Sequence, residues 1–229
     1  MEPDQIVDSK YYTAVPPRSI GERLLILARD QIYSDFLKYT RPSIDSAILD
    51  VGVSDVVGDA ANVLERKYPY PERITAVGLG NASEFQAVFP KISYLRIVAG
   101  QPLPFADQSF DVATSNAVLE HVGSVRAQHR FIGELIRVAR RIFISVPNRF
   151  FPIEHHTAIP FFHWWDSSFR LGCWILNKSE WTNPTNLILM SSKKLQALVP
   201  KGTTARIDRS GIRLGGFSSN LFLYLERIE

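Results

Sequence analysis

Short apolar runs alternate with helix-period segments through the first two thirds of the chain, and that alternation restricts the fold more than any other feature. The runs are 47–51, 74–78, 94–99, 110–114 and 142–146. Each is too short for a buried helix and too continuously apolar for a strand with one wet face, so each reads as a buried strand. Between them lie segments with helical spacing. In 20–39 the pattern is carried by Leu24, Leu25, Leu27, Ala28, Ile32 and Phe36, and Arg41-Pro42 stops it. In 55–68 it is carried by Val56, Ala60, Val63 and Leu64, and 83–89 adds a short helix. In 127–140 it is carried by Phe131, Leu135, Ile136 and Val138. Strands alternating with helices imply an α/β, Rossmann-like, mostly parallel sheet with helices on both faces.

Composition narrows the class. With 229 residues, 45% hydrophobic and 21% charged, the chain is long enough to bury its own core and is expected to form a single domain over 1–229. A formal net charge of +3 is too mild to imply nucleic acid as a partner. The lone cysteine, Cys173, cannot form an internal disulfide, and 1–12 has no basic-then-apolar leader pattern. No apolar run reaches the length of a membrane span, so a cytoplasmic location is expected.

Past Pro147 the regular rhythm is interrupted. Residues 148–186 are rich in aromatics, proline and histidine without a clean period, and read as an insertion. A helix over 191–199, with Ser191 or Ser192 as N-cap, and strands at 204–208 and 220–225 close the chain. Gly211, Gly215 and Gly216 are expected to form the connection of a hairpin.

Ligands of open α/β sheets bind at the carboxyl ends of strands, so those ends hold the candidate site. The first strand leads into Asp50-Val51-Gly52-Val53-Ser54, and the fourth is embedded in LPFADQSFDVATSNAVLEHV, residues 103–122. This block resembles the class I S-adenosylmethionine-dependent methyltransferases, in their small-molecule, type 11-like branch. The resemblance spans roughly 46–148. It implies a seven-stranded sheet with one antiparallel strand and S-adenosylmethionine as cofactor. Asp50, Gly52, Val53 and Ser54 would hold the methionine end, Gly80 and Asn81 would lie by the ribose, and Gly100, Gln101 and Pro102 by the adenine. Asn116 and Val118 would line the floor. Asp107 and Asp111 read as stabilisers of the turn and the start of the strand.

The chain departs from the family pattern at defined places. The second and third glycine positions of the first turn hold Ser54 and Val56, the acid expected after the second strand is absent, and Gln101 stands where an adenine-binding acid is usual. His121, beside Glu120, and His156 and His163 of the insertion are the candidate catalytic groups, since an imidazole can act as general base. No metal is assigned: Glu154, His156 and His163 match no standard ligand spacing. The insertion, with Arg149 and His155, is read as a lid over a small-molecule, glycan or lipid-linked acceptor, and 159–176 as a weak membrane-surface contact. The leading function is direct in-line methyl transfer. The alternative is a catalytically inactive binding or scaffold protein on the same fold. A dinucleotide oxidoreductase ranks third, because G-x-G-x-x-G is absent.

Overall fold

The computed structural model describes residues 20–55 and 61–228. Its sheet has seven strands: β1 (Ile48–Val51), β2 (Ile74–Gly78), β3 (Ser93–Arg96), β4 (Phe110–Asn116), β5 (Ala139–Pro147), β6 (Thr203–Leu214) and β7 (Phe217–Arg227). Their order is β3-β2-β1-β4-β5-β7-β6, and β7 alone runs against the rest. The helices are α1 (Ile20–Thr40), α2 (Val63–Lys67), α3 (Ser83–Val88), α4 (Val125–Val138), α5 (Asp166–Ile175) and α6 (Ser192–Ala197). This is the Rossmann-like architecture expected, with its single reversed strand.

Side chains alternate across each strand, and the sheet therefore carries a core on each face. Leu49, Val51, Ala113, Ile142, Ile144 and Leu223 point to the face covered by α4, where Ile132, Leu135 and Val138 meet them. Ile48, Ala76, Val112, Phe143 and Phe222 point to the other, where Ile32 and Phe36 of α1 and Leu64 of α2 pack. In α1 the buried apolar residues are Ala28, Ile32 and Phe36, while Leu24 and Leu27 remain exposed. The inward stripe is thus narrower than the apolar pattern implied.

Several boundaries differ from the sequence reading for local reasons. Helix α2 begins only at Val63, and Val56 and Ala60 fall outside the described residues. Helix α4 is capped by the Ser124 hydroxyl, which accepts from the Ala127 N–H, and it passes directly into β5 at Ala139. The insertion contains α5, which the sequence reading missed. Its inward residues Phe169, Gly172 and Cys173 have helical spacing, and the exposed Leu171, Trp174 and Ile175 hide that period by making the helix apolar around most of its girth. Ser191 is the N-cap of α6, accepting from the Lys194 N–H at 3.3 Å.

The C-terminal hairpin is longer than expected. Gly215-Gly216 forms its turn, but Gly211 lies within β6, at a bulge between Ser210 and Arg213. There it has φ +72°, and a Cβ would collide with Ser219 Oγ and Asn220 Oδ1. The left-handed backbone alone costs a side chain roughly 1–2 kcal/mol. Gly211→Ala is expected to lower stability by at least that amount, read as an earlier urea midpoint with unchanged slope.

Candidate functional site

Strand β1 ends where the chain must leave the sheet sharply. Gly52 takes φ +98°, and its N–H donates to the Val77 carbonyl at 2.8 Å. The following loop is clamped by Asn62: its Oδ1 accepts from the Ser54 N–H at 3.2 Å and its Nδ2 donates to the Ser54 carbonyl at 2.9 Å. Beside this turn opens a cleft of about 610 Å³ that continues into solvent. Asp50, Gly52, Val53 and Asn116 line it, as the sequence implied. Arg29 and Tyr33 of α1, Glu65 of α2, and Thr114 and Ser145 of the neighbouring strands line it too, and sequence reasoning missed all five. Glu65 carried a usable signal: it is a charged residue beside Leu64 in the helical segment, and it is buried with it.

Both oxygens of Glu65 are buried without a hydrogen-bond partner. Burial pushes its proton affinity well above the ordinary carboxyl range, and the Asp50 charge pushes it further. Burial likewise raises Asp50 to about 6, partly relieved by Glu65 and the Val51 backbone. The two carboxyl groups therefore lie close enough to share a proton in the cleft, and a cationic ligand would favour the ionised pair.

The remaining expected cofactor residues are placed differently. Val118 lies directly over Gly52, its Cγ2 filling the space a Cβ would need. Ser54 is buried by its loop. The Gly80 carbonyl accepts from the Tyr94 hydroxyl at 2.7 Å. The Asn81 side chain accepts from Arg96 Nη1 at 3.0 Å, while Arg96 Nε donates to the Leu79 carbonyl. An arginine thus organises this loop. Gly100, Gln101 and Pro102 form an exposed turn and do not line the cleft. Asp107 and Asp111 are structural, as read: Asp107 Oδ1 accepts from Arg137, which also binds the Leu103 and Phe105 carbonyls, and Asp111 Oδ2 accepts from the Ala47 N–H.

A second centre lies beyond the ends of the same strands. The single 3-10 turn Leu119–His121, just after β4, is tied down by Gln128 Nε2, which donates to the Leu119 carbonyl, and by the Ile188 N–H, which donates to the Glu120 carbonyl. His121 Nδ1 donates to the Asn186 carbonyl at 2.6 Å. His121 Nε2 stands 3.1 Å from His156 Nε2, and His156 Nδ1 stands 2.8 Å from Glu154 Oε1. The lid histidine and the post-β4 histidine, 35 residues apart in the chain, are therefore neighbours. His163 shares the adjoining cavity, but its Nε2 is spent on the Phe151 carbonyl at 2.8 Å, so it holds the lid together. His155 also faces this cavity. Arg149 fastens the lid through the His163 carbonyl and the Asp166 carboxylate.

The charges in this centre are strongly ordered. Burial opposes a charge on Glu154, yet the bonds from His156 and Thr157 outweigh it and hold the carboxyl down to about 2. Burial also opposes protonation of His156, and again Glu154 outweighs it and raises the imidazole above its ordinary value. His121 goes the other way: burial and the His156 charge lower it to about 4. Burial raises Glu120 to about 7. His121, the candidate base from the sequence, is thus a neutral imidazole with both nitrogens engaged, and a weak base.

Residues 49–142 match the family model described as methyltransferase domain. A comparison with curated protein sequences yields no match. Among solved structures, a SAM-dependent methyltransferase from Methanosarcina mazei is 18% identical with TM-score 0.56, the match covering 86% of this chain and 98% of that one. An S-adenosylmethionine-dependent methyltransferase from Mesorhizobium loti is 14% identical with TM-score 0.56, covering 87% and 100%. One from Aquifex aeolicus is 13% identical with TM-score 0.53, covering 90% and 93%. At these identities the likeness is one of fold.

The carboxyl pair of the cleft makes stability depend on pH. A group whose proton affinity is raised by folding favours the fold below its unfolded value, and that contribution is lost as pH rises through the folded value. For Asp50 the loss runs from its ordinary value of 3.8 up to about 6. Glu65→Gln is expected to raise the thermal midpoint at pH 8 and to change it little at pH 4, measured by circular dichroism.

Proposed function

We propose, from a chain whose residues 49–142 match the methyltransferase-domain family on the fold of S-adenosylmethionine-dependent methyltransferases, that the protein binds S-adenosylmethionine and transfers its methyl group to a small apolar or lipid-linked acceptor. The observation that carries this reading is the cleft at the end of β1, where the unpartnered Glu65 carboxyl stands with Asp50 beside the left-handed Gly52. Such a site asks for a cationic ligand that approaches backbone closely. S-adenosylmethionine fits it: it carries an ammonium group and supplies a methyl group activated on a sulfonium.

In this reading Asp50 and Glu65 hold the amino end and Gly52 gives clearance to the main chain. Thr114, Asn116 and Ser145 supply polar edges across the cleft, with Ser145 Oγ already bonded to Asn116 Oδ1. The ribose end departs from the family pattern, and Asn81, oriented by Arg96, is the polar group present there. Methyl transfer of this kind asks the protein mainly for alignment and exclusion of water. The lid supplies the second through Phe151 and Trp181, packed against His155 and His156. The proton of an acceptor hydroxyl or amine would leave through the cavity beneath the lid, which Glu120 and His156 line.

Isothermal titration tests the donor site. S-adenosylhomocysteine is expected to bind with micromolar affinity, and Asp50→Asn to weaken the binding of S-adenosylmethionine at least tenfold, in line with the about 1.5–3 kcal/mol of a charge-assisted hydrogen bond. Absence of heat at millimolar ligand would overturn the reading and favour the inactive binding protein, for which Val118 over Gly52 and the engaged Arg96 speak.

The acceptor class rests on the outer face of the lid. Phe161, Phe162, Trp165, Leu171, Trp174 and Ile175 are exposed there, Trp174 to 72% and Trp165 to 64%. Exposed apolar residues gathered in one segment mark a contact site, and aromatic side chains suit the membrane interface. No helix among the described residues is long and apolar enough to cross a membrane, so the contact would be peripheral. Sedimentation with phosphatidylglycerol vesicles checks this: the wild type is expected to co-sediment and Trp165→Ser/Trp174→Ser to remain largely in the supernatant.

A further inference from the structure

The two histidines behind the lid are arranged in a way that hydrogen bonding alone leaves unresolved. The Asn186 carbonyl can only accept, so His121 carries its proton on Nδ1. Glu154 Oε2 accepts from the His156 N–H, the Thr157 N–H and the Thr157 hydroxyl, at 2.9, 2.6 and 2.7 Å, and is therefore a carboxylate. Its Oε1 takes the proton of His156 Nδ1 at 2.8 Å. Unless a proton or a metal joins them, both rings turn a lone pair on Nε2 toward the other, at 3.1 Å. Something positive must lie between them: a proton or a metal ion.

The third member of the cluster decides in favour of a metal. Glu120 is 1% exposed, and neither of its oxygens has a hydrogen-bond partner. Its Oε1 lies 4.0 Å from His121 Nε2. A single added proton between the rings would leave this carboxyl buried and unpaired, whereas a divalent ion satisfies it together with both nitrogens. The ligand atoms of Glu120, His121 and His156 all lie within 4.8 Å of one another. Two imidazoles on one tetrahedral zinc stand about 3.3 Å apart, from Zn–N bonds of about 2.0–2.1 Å. The 3.1 Å found is close to that, and nothing holds the Glu120 carboxylate away from the same centre.

The surroundings complete the pattern. A metal-bound histidine commonly donates its other N–H to a carboxylate or a backbone carbonyl, which fixes tautomer and ring orientation. His156 does so to Glu154, and His121 to the Asn186 carbonyl. We propose that Glu120, His121 and His156 form a binding site for one divalent transition-metal ion of the zinc type, with Glu154 and the Asn186 carbonyl as its orienting partners. Glu120 and His156 also line the cavity beneath the lid. The fourth coordination position opens to that cavity and takes water or an oxygen atom of a bound molecule. The proposal stands apart from the methyl-transfer reading, because its test reads the metal directly.

The experiment uses the full chain, stripped with EDTA and dialysed, at pH 7.5. Zn²⁺ is titrated by calorimetry, and Co²⁺ is followed by its visible absorption. One ion per chain is expected, with the intense bands of a four-coordinate Co²⁺ site and no comparable uptake of Mg²⁺. His121→Ala and His156→Ala are each expected to weaken Zn²⁺ at least a hundredfold, and Glu154→Gln about ten- to a hundredfold. His129→Ala, on the exposed side of α4, is expected to leave it unchanged. Absence of saturable one-to-one binding, or binding that survives the double variant His121→Ala/His156→Ala, would overturn the proposal. Should the variants fail to fold, X-ray absorption on the zinc-loaded wild type decides. Two imidazole nitrogens at about 2.0 Å support the site, and a shell without imidazole overturns it.

Discussion

Strands β1 and β4 lie side by side and parallel, yet the chains leaving them go to opposite faces of the sheet, and every functional feature depends on that divergence. From β1 the chain turns at Gly52 toward α2, whose Leu64 packs with Ile48, Ile74 and Val112. From β4 it passes through the Leu119–His121 turn to α4, whose Ile132 and Leu135 pack with Leu49, Val51 and Ala113. Side chains one residue apart in the same strands thus anchor two different cores. The gap left between the departing chains cannot be closed by either core, and it holds the Asp50–Glu65 cleft on one side and the histidine centre beyond the other.

What the sequence made legible follows from the same physics. Strands β1, β2, β4 and β5 are covered on both faces, so they appear as apolar runs whatever their neighbours. Strand β6 is at the edge, where most residues from Thr203 to Arg209 are exposed or half-exposed, and only a fragment of it shows an apolar signal. Helix α5 is hidden for the opposite reason, because Leu171, Trp174 and Ile175 on its outward face are apolar as well. Gly211 was read as part of a turn because glycine marks turns and bulges equally, and only the register of β6 against β7 separates the two.

The site divides along the same line. Asp50 and Gly52 are local to one strand end, so a motif could identify them. Arg29 and Tyr33 come from a helix that precedes the sheet, and no spacing connects them to it. His121 and His156 were each singled out from the chemistry of their segments, but their meeting depends on how the lid folds back, through the Ile153–Pro160 bridge and the Lys178 ammonium donating to the Thr157 carbonyl. Glu154, His156 and His163, to which the sequence assigns no metal, do not converge, because the lid turns His163 to its own backbone at Phe151.

Two glutamates set this chain apart from a merely stable fold. Glu65 and Glu120 are both buried, and the oxygens of both lack hydrogen-bond partners. A carboxyl in that state costs at least 1–3 kcal/mol against a satisfied or apolar replacement, and more when ionised. Leucine would fit a helix or a short turn equally well and avoid the penalty. The two residues sit at the two centres that the diverging strands create, one beside the Gly52 turn and one beside paired imidazole nitrogens. A buried carboxyl of this kind is relieved by a proton or by a cation, so each glutamate favours the binding of a positively charged ligand. For Glu65 the ligand is an organic cation entering an open cleft. For Glu120, enclosed and facing two nitrogen lone pairs, a small metal ion is the cation whose size and bonding match.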